Sequence, residues 1–93
     1  MSNRADRIRQ ALVAAFPPAE VQVEDDSHLH AGHAGSRPEG ETHYSVLVVS
    51  PGFAGMNRVE RSRAVHAVLE PEFGKGLHAL SLRLMTPAEA GRP

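Results

Sequence analysis

The chain has 93 residues, which suits one modest domain, and its 41% hydrophobic and 23% charged residues are typical of a folded protein. Ten basic residues face eleven acidic ones, which excludes a strongly basic nucleic-acid binder while leaving room for a local basic patch. The absence of cysteine excludes disulfides, a cysteine nucleophile and thiolate ligands from this chain. We therefore expect a single domain over residues 1–93.

The start of the chain has no feature of a targeting or membrane segment. Its first ten residues are polar and include three arginines, with no apolar stretch typical of a signal peptide. No run elsewhere approaches the length of a membrane helix. We expect a cytoplasmic protein without membrane association, a monomer or weak homodimer when alone.

The first predicted elements are a helix and a strand. Asn3 can cap a helix that runs to about Phe16, and Ile8 and Leu12 lie at helical spacing on its apolar face. Two prolines come next and end the helix, because neither can donate the next backbone hydrogen bond. The alternation over Val21–Glu24 predicts a half-buried strand.

Residues 26–41 differ from their surroundings. They are polar and contain three glycines, a proline and three histidines, so they cannot bury a continuous apolar face. We predict a flexible loop rich in His and Gly. Unstructured loops of this length in a compact domain are usually functional or disordered.

The second half contains two strands and a main helix. Thr42–Ser50 is the clearest strand, with Tyr44, Val46 and Val48 on one face. Asn57 and Glu60 form a capping-box pattern at the start of the helix. A helical turn is predicted near residues 52–55, before that helix.

The end of the main helix, a third strand and a last short helix complete the predicted order. Pro71 is expected to end or kink the main helix, and Leu77–Leu84 is the third predicted strand. Thr86–Glu89 has the pattern of a last short helix. The predicted fold class is α+β, a three-stranded sheet with helices packed on one face.

Five segments of this chain resemble, in order and with similar spacing, the BolA family. The resemblance extends over about residues 5 to 90. The segments are Glu41–Ser50, Phe53-Ala54-Gly55, Arg61–Val65, Leu77–Leu82 and Thr86–Glu89. One departure is Ser62, which stands where the family usually has a histidine between two arginines.

The BolA resemblance implies a fold, a partner and a metal site. The fold is similar to class II KH domains, with αββααβ order. The partner is a monothiol glutaredoxin, and the two proteins share a bridging [2Fe-2S] cluster to which the partner supplies a cysteine and glutathione. By position, the ligands from this chain are His78, near the last strand, and His30, in the loop. The implied role is cluster delivery or iron regulation.

The chemistry of histidine is compatible with such a site, because two imidazoles can replace two thiolates on one iron of a [2Fe-2S] cluster. Within the loop, His33 and His28 are alternates to His30, although a solvated loop that simply tolerates histidine is the other interpretation. Without the resemblance, His78 would be interpreted as a hydrogen-bonded histidine at a strand edge. His43 could support the site from behind the ligands, or serve only folding and solvation.

A second function class is a KH-like nucleic-acid-binding transcriptional regulator, with DNA as the partner. Arg58, Arg61, Arg63 and Lys75 are its candidate contacts, although a solvated basic face is the more ordinary interpretation. Gly-x-x-Gly occurs twice, at residues 32–35 and 52–55, but neither copy has the basic residues usual in a KH clamp.

Enzymatic function has no support in the sequence. It contains no Gly-x-Ser-x-Gly, no phosphate-binding loop and no carboxylate pair at informative spacing. The hypothesis is therefore a non-enzymatic partner in iron–sulfur cluster handling.

Overall fold

A computed structural model of the chain describes residues 3–25, 43–77 and 79–91. Five main elements succeed one another in chain order, with a 3₁₀ helix at Pro51–Phe53 between the second strand and the second helix. They are α1 (Arg4–Ala15), β1 (Glu20–Asp25), β2 (His43–Val49), α2 (Arg58–Phe73) and β3 (Ala79–Met85). The loop predicted over residues 26–41 lies outside the described residues.

The three strands form one mixed sheet in the order β1-β2-β3. β1 is antiparallel to β2, and β3 is parallel to β2. A parallel pair needs a crossover connection, and here the 3₁₀ helix and α2 provide it. The α+β class, with its αββααβ order and its helices on one face of a three-stranded sheet, is confirmed.

The core lies between the two helices and one face of the sheet. Alternate residues of β2 point into it, as the sequence predicts, because successive side chains of a strand face opposite sides. The buried cluster consists of Ile8, Leu12, Tyr44, Val46, Val48, Phe53, Val65, Leu69 and Leu77. The other face of the sheet has no helix of the described elements on it, and its residues are exposed or half-buried over most of its length.

Both helices begin where their caps predict. The Asn3 side chain accepts a hydrogen bond from the Asp6 amide at 2.9 Å. Asn57 and Glu60 form a reciprocal capping box, with both side-chain-to-backbone bonds at 2.8 Å. These bonds satisfy amide groups that a helix start otherwise leaves without partners.

Ser50 connects three elements at one corner of the fold. Its hydroxyl donates to the Phe16 carbonyl at 2.7 Å and accepts from the Gly52 amide at 3.1 Å. Its own amide donates to the Met85 carbonyl at 2.9 Å. The residue is fully buried, so all of these polar groups depend on partners within the protein.

Two expectations about the second half need correction. α2 does not end at Pro71 but continues to Phe73, because hydrogen bonds after the proline, such as Gly74 amide to Glu70 carbonyl, retain the last turn. The last short helix is only a single turn. Thr86 and Glu89 cap each other as predicted, but Gly91, with φ of 76°, ends the helical path.

None of the helices within residues 3–25, 43–77 and 79–91 is long and apolar enough to cross a membrane.

Candidate functional site

The described residues next to the segments that contain the candidate ligands lie at one end of the sheet. Asp25, the last residue of β1, is the register partner of Tyr44, and Tyr44 is the partner of Leu80. His43, the first residue of β2, is the partner of Ala79, the first residue of β3. Asp25 and His43, the described residues that flank segment 26–42, therefore lie at the same end of the sheet as the start of β3.

All four predicted ligands lie outside the described residues. They are His78, His30 and the alternates His33 and His28. His78 directly precedes Ala79 in the sequence, and the three loop histidines fall within the segment that joins β1 to β2. Their assignment as ligands stays a prediction.

His43 and His66 are the two described histidines. His43 is half-buried and next to Ala79 in the parallel ladder, and its supporting role stays a prediction. His66 is exposed on α2, where its Nδ1 lies 2.9 Å from the Ser62 carbonyl and its ring stacks on Phe73 at 5.4 Å. These contacts give His66 local partners on its own helix.

The turn before β3 is held by contacts to both helices. The Leu77 amide donates to the Glu72 carbonyl at 3.0 Å, and the Leu77 side chain is buried. Arg4 Nη2 of α1 donates to the Lys75 carbonyl at 2.7 Å. Gly76 has φ of 112° and lies against the Arg4 guanidinium, so a residue with a side chain would be strained there. The turn that ends at Leu77 is therefore well anchored.

Glu72 connects α1 to the end of α2 through contacts with two arginines. It is buried, and its carboxylate accepts from Arg7 Nε and Nη2, both at 3.0 Å, and from Arg4 Nε at 3.3 Å. The Arg7 hydrogen bond is the main reason that the pKa of Glu72 lies below its usual value, while burial acts in the opposite direction. The ion pair joins α1 to the end of α2.

The described residues do not form a metal site by themselves. Within residues 3–25, 43–77 and 79–91, no group of three or more His, Asp or Glu side chains could hold a metal ion. Since the chain also lacks cysteine, a metal at the end of the sheet described above would need ligands from elsewhere.

The four candidate nucleic-acid residues are not equivalent. Arg61 is largely buried, with its side chain 13% exposed, and its guanidinium donates to the Met56 carbonyl (2.9 Å), the Leu84 carbonyl (3.0 Å) and Glu89 (2.6 Å). Arg58 and Arg63 are exposed on α2. Lys75 lies beyond the opposite end of that helix. The structure does not gather the four into one patch.

Glu89 is held by the same arginine. The hydrogen bond from Arg61 is the main cause that lowers the pKa of the exposed Glu89 carboxyl to about 2, and the Thr86 amide adds to it. Arg61 therefore connects the start of α2, the end of β3 and the final turn.

The Gly-x-x-Gly segment at residues 52–55 has a structural explanation. Phe53 is fully buried in the core, and its ring lies 5.0 Å from that of Phe16. Gly55 has φ of 80°, a conformation that side chains rarely adopt, and it precedes the cap of α2. The other copy, at residues 32–35, lies outside the described residues.

A groove between α2 and β3 was not predicted from the sequence. Its volume is about 860 Å³. Its lining includes Arg58, Arg61, Ser62, Leu80, Leu82 and Arg83. The alternation of leucines in β3 indicates an inward face, but only the strand order shows that β3 is an edge strand beside α2.

The fold defines a class of small α+β proteins in which two helices cover one face of a mixed three-stranded sheet. A family described as BolA-like protein matches residues 12–89. The chain belongs to the BolA family.

Curated relatives agree with this assignment. The chain is 48% identical over 92 residues to "Protein BOLA1, chloroplastic" of Arabidopsis thaliana, covering 97% of this chain and 58% of that protein. It is 43% identical over 93 residues to "SufE-like protein 1, chloroplastic/mitochondrial" of the same plant, covering 96% of this chain and 25% of that protein. The chain therefore spans less than two thirds of the length of these two relatives.

Another relative has a regulatory name. "DNA-binding transcriptional regulator BolA" of Haemophilus influenzae is 34% identical over 82 residues, which cover 88% of this chain and 76% of that protein. Among solved structures, BolA1 from Arabidopsis thaliana matches with a TM-score of 0.83 and 47% identity, over 96% of this chain and 97% of that one.

Proposed function

We propose that this BolA-family protein is a non-enzymatic, cytoplasmic partner of a monothiol glutaredoxin. It supplies His78 and one loop histidine, His30 before His33 or His28, to a [2Fe-2S] cluster that the two proteins share. The partner supplies a cysteine thiolate and glutathione. The role belongs to iron–sulfur cluster trafficking or iron regulation.

The observation that carries this proposal is the strand register. The Asp25–Tyr44 and His43–Ala79 pairings bring Asp25 and His43, which flank segment 26–42, to the end of the sheet at which β3 begins. Because His30 is five positions after Asp25 in the sequence, it is within reach of that end. His78 directly precedes Ala79 in the sequence, and Asp25 and Ala79, the described residues that precede His30 and follow His78, both lie at this end.

The available donor atoms fit half of a cluster site. This chain has six histidines and no cysteine, so it can offer neutral imidazole nitrogens and no thiolate. Rieske centres show that one iron of a [2Fe-2S] cluster accepts two histidines, whereas the other iron needs thiolates. A partner that brings thiolates therefore complements this chain.

The anchored turn before β3 supports the choice of His78. A ligand works best when its backbone is held by a rigid neighbourhood. Leu77 on one side is buried and bonded to Glu72, and Ala79 on the other side is part of the ladder with β2.

A DNA-binding role is the second candidate, favoured by the name of the Haemophilus relative and by the exposed Arg58 and Arg63. We rank it lower, because the guanidinium of Arg61 is hydrogen-bonded within the protein and Lys75 follows the C-terminal end of α2, away from the arginines at its start. The two functions differ in salt dependence, since phosphate contacts weaken steeply with salt and histidine ligation does not.

Co-expression with a monothiol glutaredoxin tests the proposal. The purified mixed complex should have a visible absorption and circular dichroism spectrum that differs from that of the cluster-loaded glutaredoxin alone. The spectrum should survive a salt concentration high enough to weaken phosphate contacts, about 0.5 M NaCl. Failure of the two proteins to form a coloured complex contradicts the proposed function.

A further inference from the structure

The groove between α2 and β3 combines a free strand edge, an apolar floor and an excess of arginine. We propose that it docks an extended acidic segment of a partner protein, which adds to β3 as a fourth strand. This proposal does not depend on any histidine of the chain.

β3 is an edge strand with peptide groups open on its outer side. Its Met85 carbonyl faces β2, since it accepts from the Ser50 amide, whereas the Leu84 carbonyl faces outward and accepts from Arg61 of α2. The amide and carbonyl of one strand residue face one side, and those of the next residue face the other. The amides and carbonyls of Leu80 and Leu82 therefore also face outward. No described residue pairs with them, which leaves a short template for an added strand.

Arg61 limits the length of this template. Its guanidinium occupies the Leu84 carbonyl and reaches Glu89, so it closes the strand edge at that end. The open section is centred on Leu80 and Leu82, which suits a segment of a few residues. Strand addition of this kind takes its affinity from main-chain hydrogen bonds and its specificity from pockets for alternate side chains.

The floor of the groove is apolar. Leu80, Leu82 and Leu84 are half-buried and pack against the core from the helix side of β3, and Met56 also lines the groove. An added strand would point every second side chain toward these residues. Those alternate side chains are therefore expected to be apolar.

The charge of the groove indicates the nature of the remaining side chains of an added strand, those that face away from the leucines. Arg58, Arg61 and Arg83 line it, whereas Glu89 is the only acidic residue among the described ones of its lining and is paired with Arg61. Arg83 is the register partner of Leu47, on the sheet face opposite to the leucines of β3. Carboxylates on that face of an added strand would meet Arg83, and Arg58 lies on the helix side. The chain as a whole has a net charge of −1, so this excess is local.

An acidic peptide fits this groove better than single-stranded nucleic acid. The described residues of its lining include no Phe, Tyr or Trp on which bases could stack, and the ring of His66 stacks on Phe73. Strand addition instead uses features that are present, namely open peptide groups and a leucine floor.

A capped heptapeptide of alternating valine and glutamate is the probe. Added to ¹⁵N-labelled protein, it should shift the amide signals of Leu80 and Leu82 while leaving those of β1 in place. The charge reversal R83E should weaken binding by about tenfold or more. R63E is the matched control, because Arg63 is exposed on α2 and does not line the groove, and its effect should stay below about threefold.

Backbone and nucleic-acid probes complete the test. A heptapeptide methylated at the alternate peptide nitrogens that face β3 cannot donate to the ladder, so it should lose binding. Equal binding of the methylated peptide, equal affinity of R83E, or no shift at Leu80 and Leu82 would overturn the proposal. Tighter binding of oligothymidylate than of the peptide at the same amides would also overturn it, in favour of a nucleic-acid groove.

Discussion

Arg7 of α1 and Glu72 of α2 form a bidentate ion pair, with Nε to Oε2 and Nη2 to Oε1 both at 3.0 Å. The Glu72 side chain is only 9% exposed, and Arg4 adds a third contact from the same helix. Parallel hydrogen bonds of this kind are among the stronger polar contacts in proteins. The pair holds α1 against the end of α2.

Glu72→Gln should destabilise the fold by about 1–3 kcal/mol, because it removes the charge and leaves two arginines facing a neutral amide. The free energy of unfolding is measured by urea denaturation. Glu70→Gln is the matched control, because Glu70 is an exposed residue on the same helix, and it should change stability by less than about 0.5 kcal/mol. Equal effects of the two changes would show that the ion pair contributes nothing.

Acid should weaken the fold through two carboxyls, those of Glu72 and Glu89. Arginine hydrogen bonds hold the pKa of both below the ordinary 4.5, so both ionised forms favour the folded state. This stabilisation is present in full above pH 4.5 and is lost as the pH falls through the folded values, about 2 for Glu89. Denaturation titrations from about pH 6 to about pH 2 should show the fall, with a shallower slope in Glu72→Gln.

The pKa of Glu89 can be measured directly by following its carboxyl ¹³C signal with pH. It should be about 2 in the parent protein and should rise toward 4.5 in Arg61→Gln. An unchanged value in that variant would mean that Arg61 is not the cause.

Arg61 and Arg63 should respond very differently to alanine. Arg61 donates to two backbone carbonyls and to Glu89, and it lies 5.8 Å from the centre of the Phe53 ring, so Arg61→Ala should cost about 1–3 kcal/mol of stability. Arg63 is exposed, and Arg63→Ala should cost less than about 0.5 kcal/mol.

This difference affects any test of DNA binding. A loss of DNA binding in an Arg61 variant would be ambiguous, because the variant is also expected to be less stable. Arg58 and Arg63 are the informative pair, and gel shifts at two salt concentrations would report a flatter salt slope for their double alanine variant if they contact phosphates. Similar stability of Arg61→Ala and Arg63→Ala would contradict the structural role of Arg61.

Local patterns predicted most of the fold, and long-range contacts account for the features that those patterns missed. The caps at Asn3 and Asn57 and the alternation of β2 act within a few residues, so the sequence alone indicates them. The persistence of α2 beyond Pro71 was not predictable in this way. The last turn of α2 contains Glu72, which contacts Arg7 and Arg4. These arginines lie 65 and 68 positions earlier in the chain.

In the candidate site, too, the features that were not predicted depend on long-range contacts. The role of Arg61 depends on partners 23 and 28 positions away, at Leu84 and Glu89, and the groove depends on which strand lies at the edge of the sheet. The resemblance to the BolA family suggested the histidine ligands, but the common end of the sheet that supports the proposal results from the parallel register of β2 and β3.

The isolated protein should be colourless and should remain so after incubation with iron and sulfide under reducing conditions. It has no cysteine to ligate the second iron of a cluster. Visible absorption and iron content of the desalted protein check this, with a cluster-loaded glutaredoxin as the positive control. A stable coloured cluster on this chain alone would contradict a shared site.

The most direct measurement is the spectrum of the mixed glutaredoxin complex formed by His78→Ala, His30→Ala and His66→Ala. His66→Ala, the control outside the proposed site, should reproduce the parent spectrum. His78→Ala should lose most of the mixed-complex signal, and His30→Ala only part of it, because His28 and His33 can substitute. The triple loop variant should match His78→Ala. If His78→Ala is folded and gives the parent spectrum at the parent intensity, His78 is not a ligand and the account of the shared site is wrong.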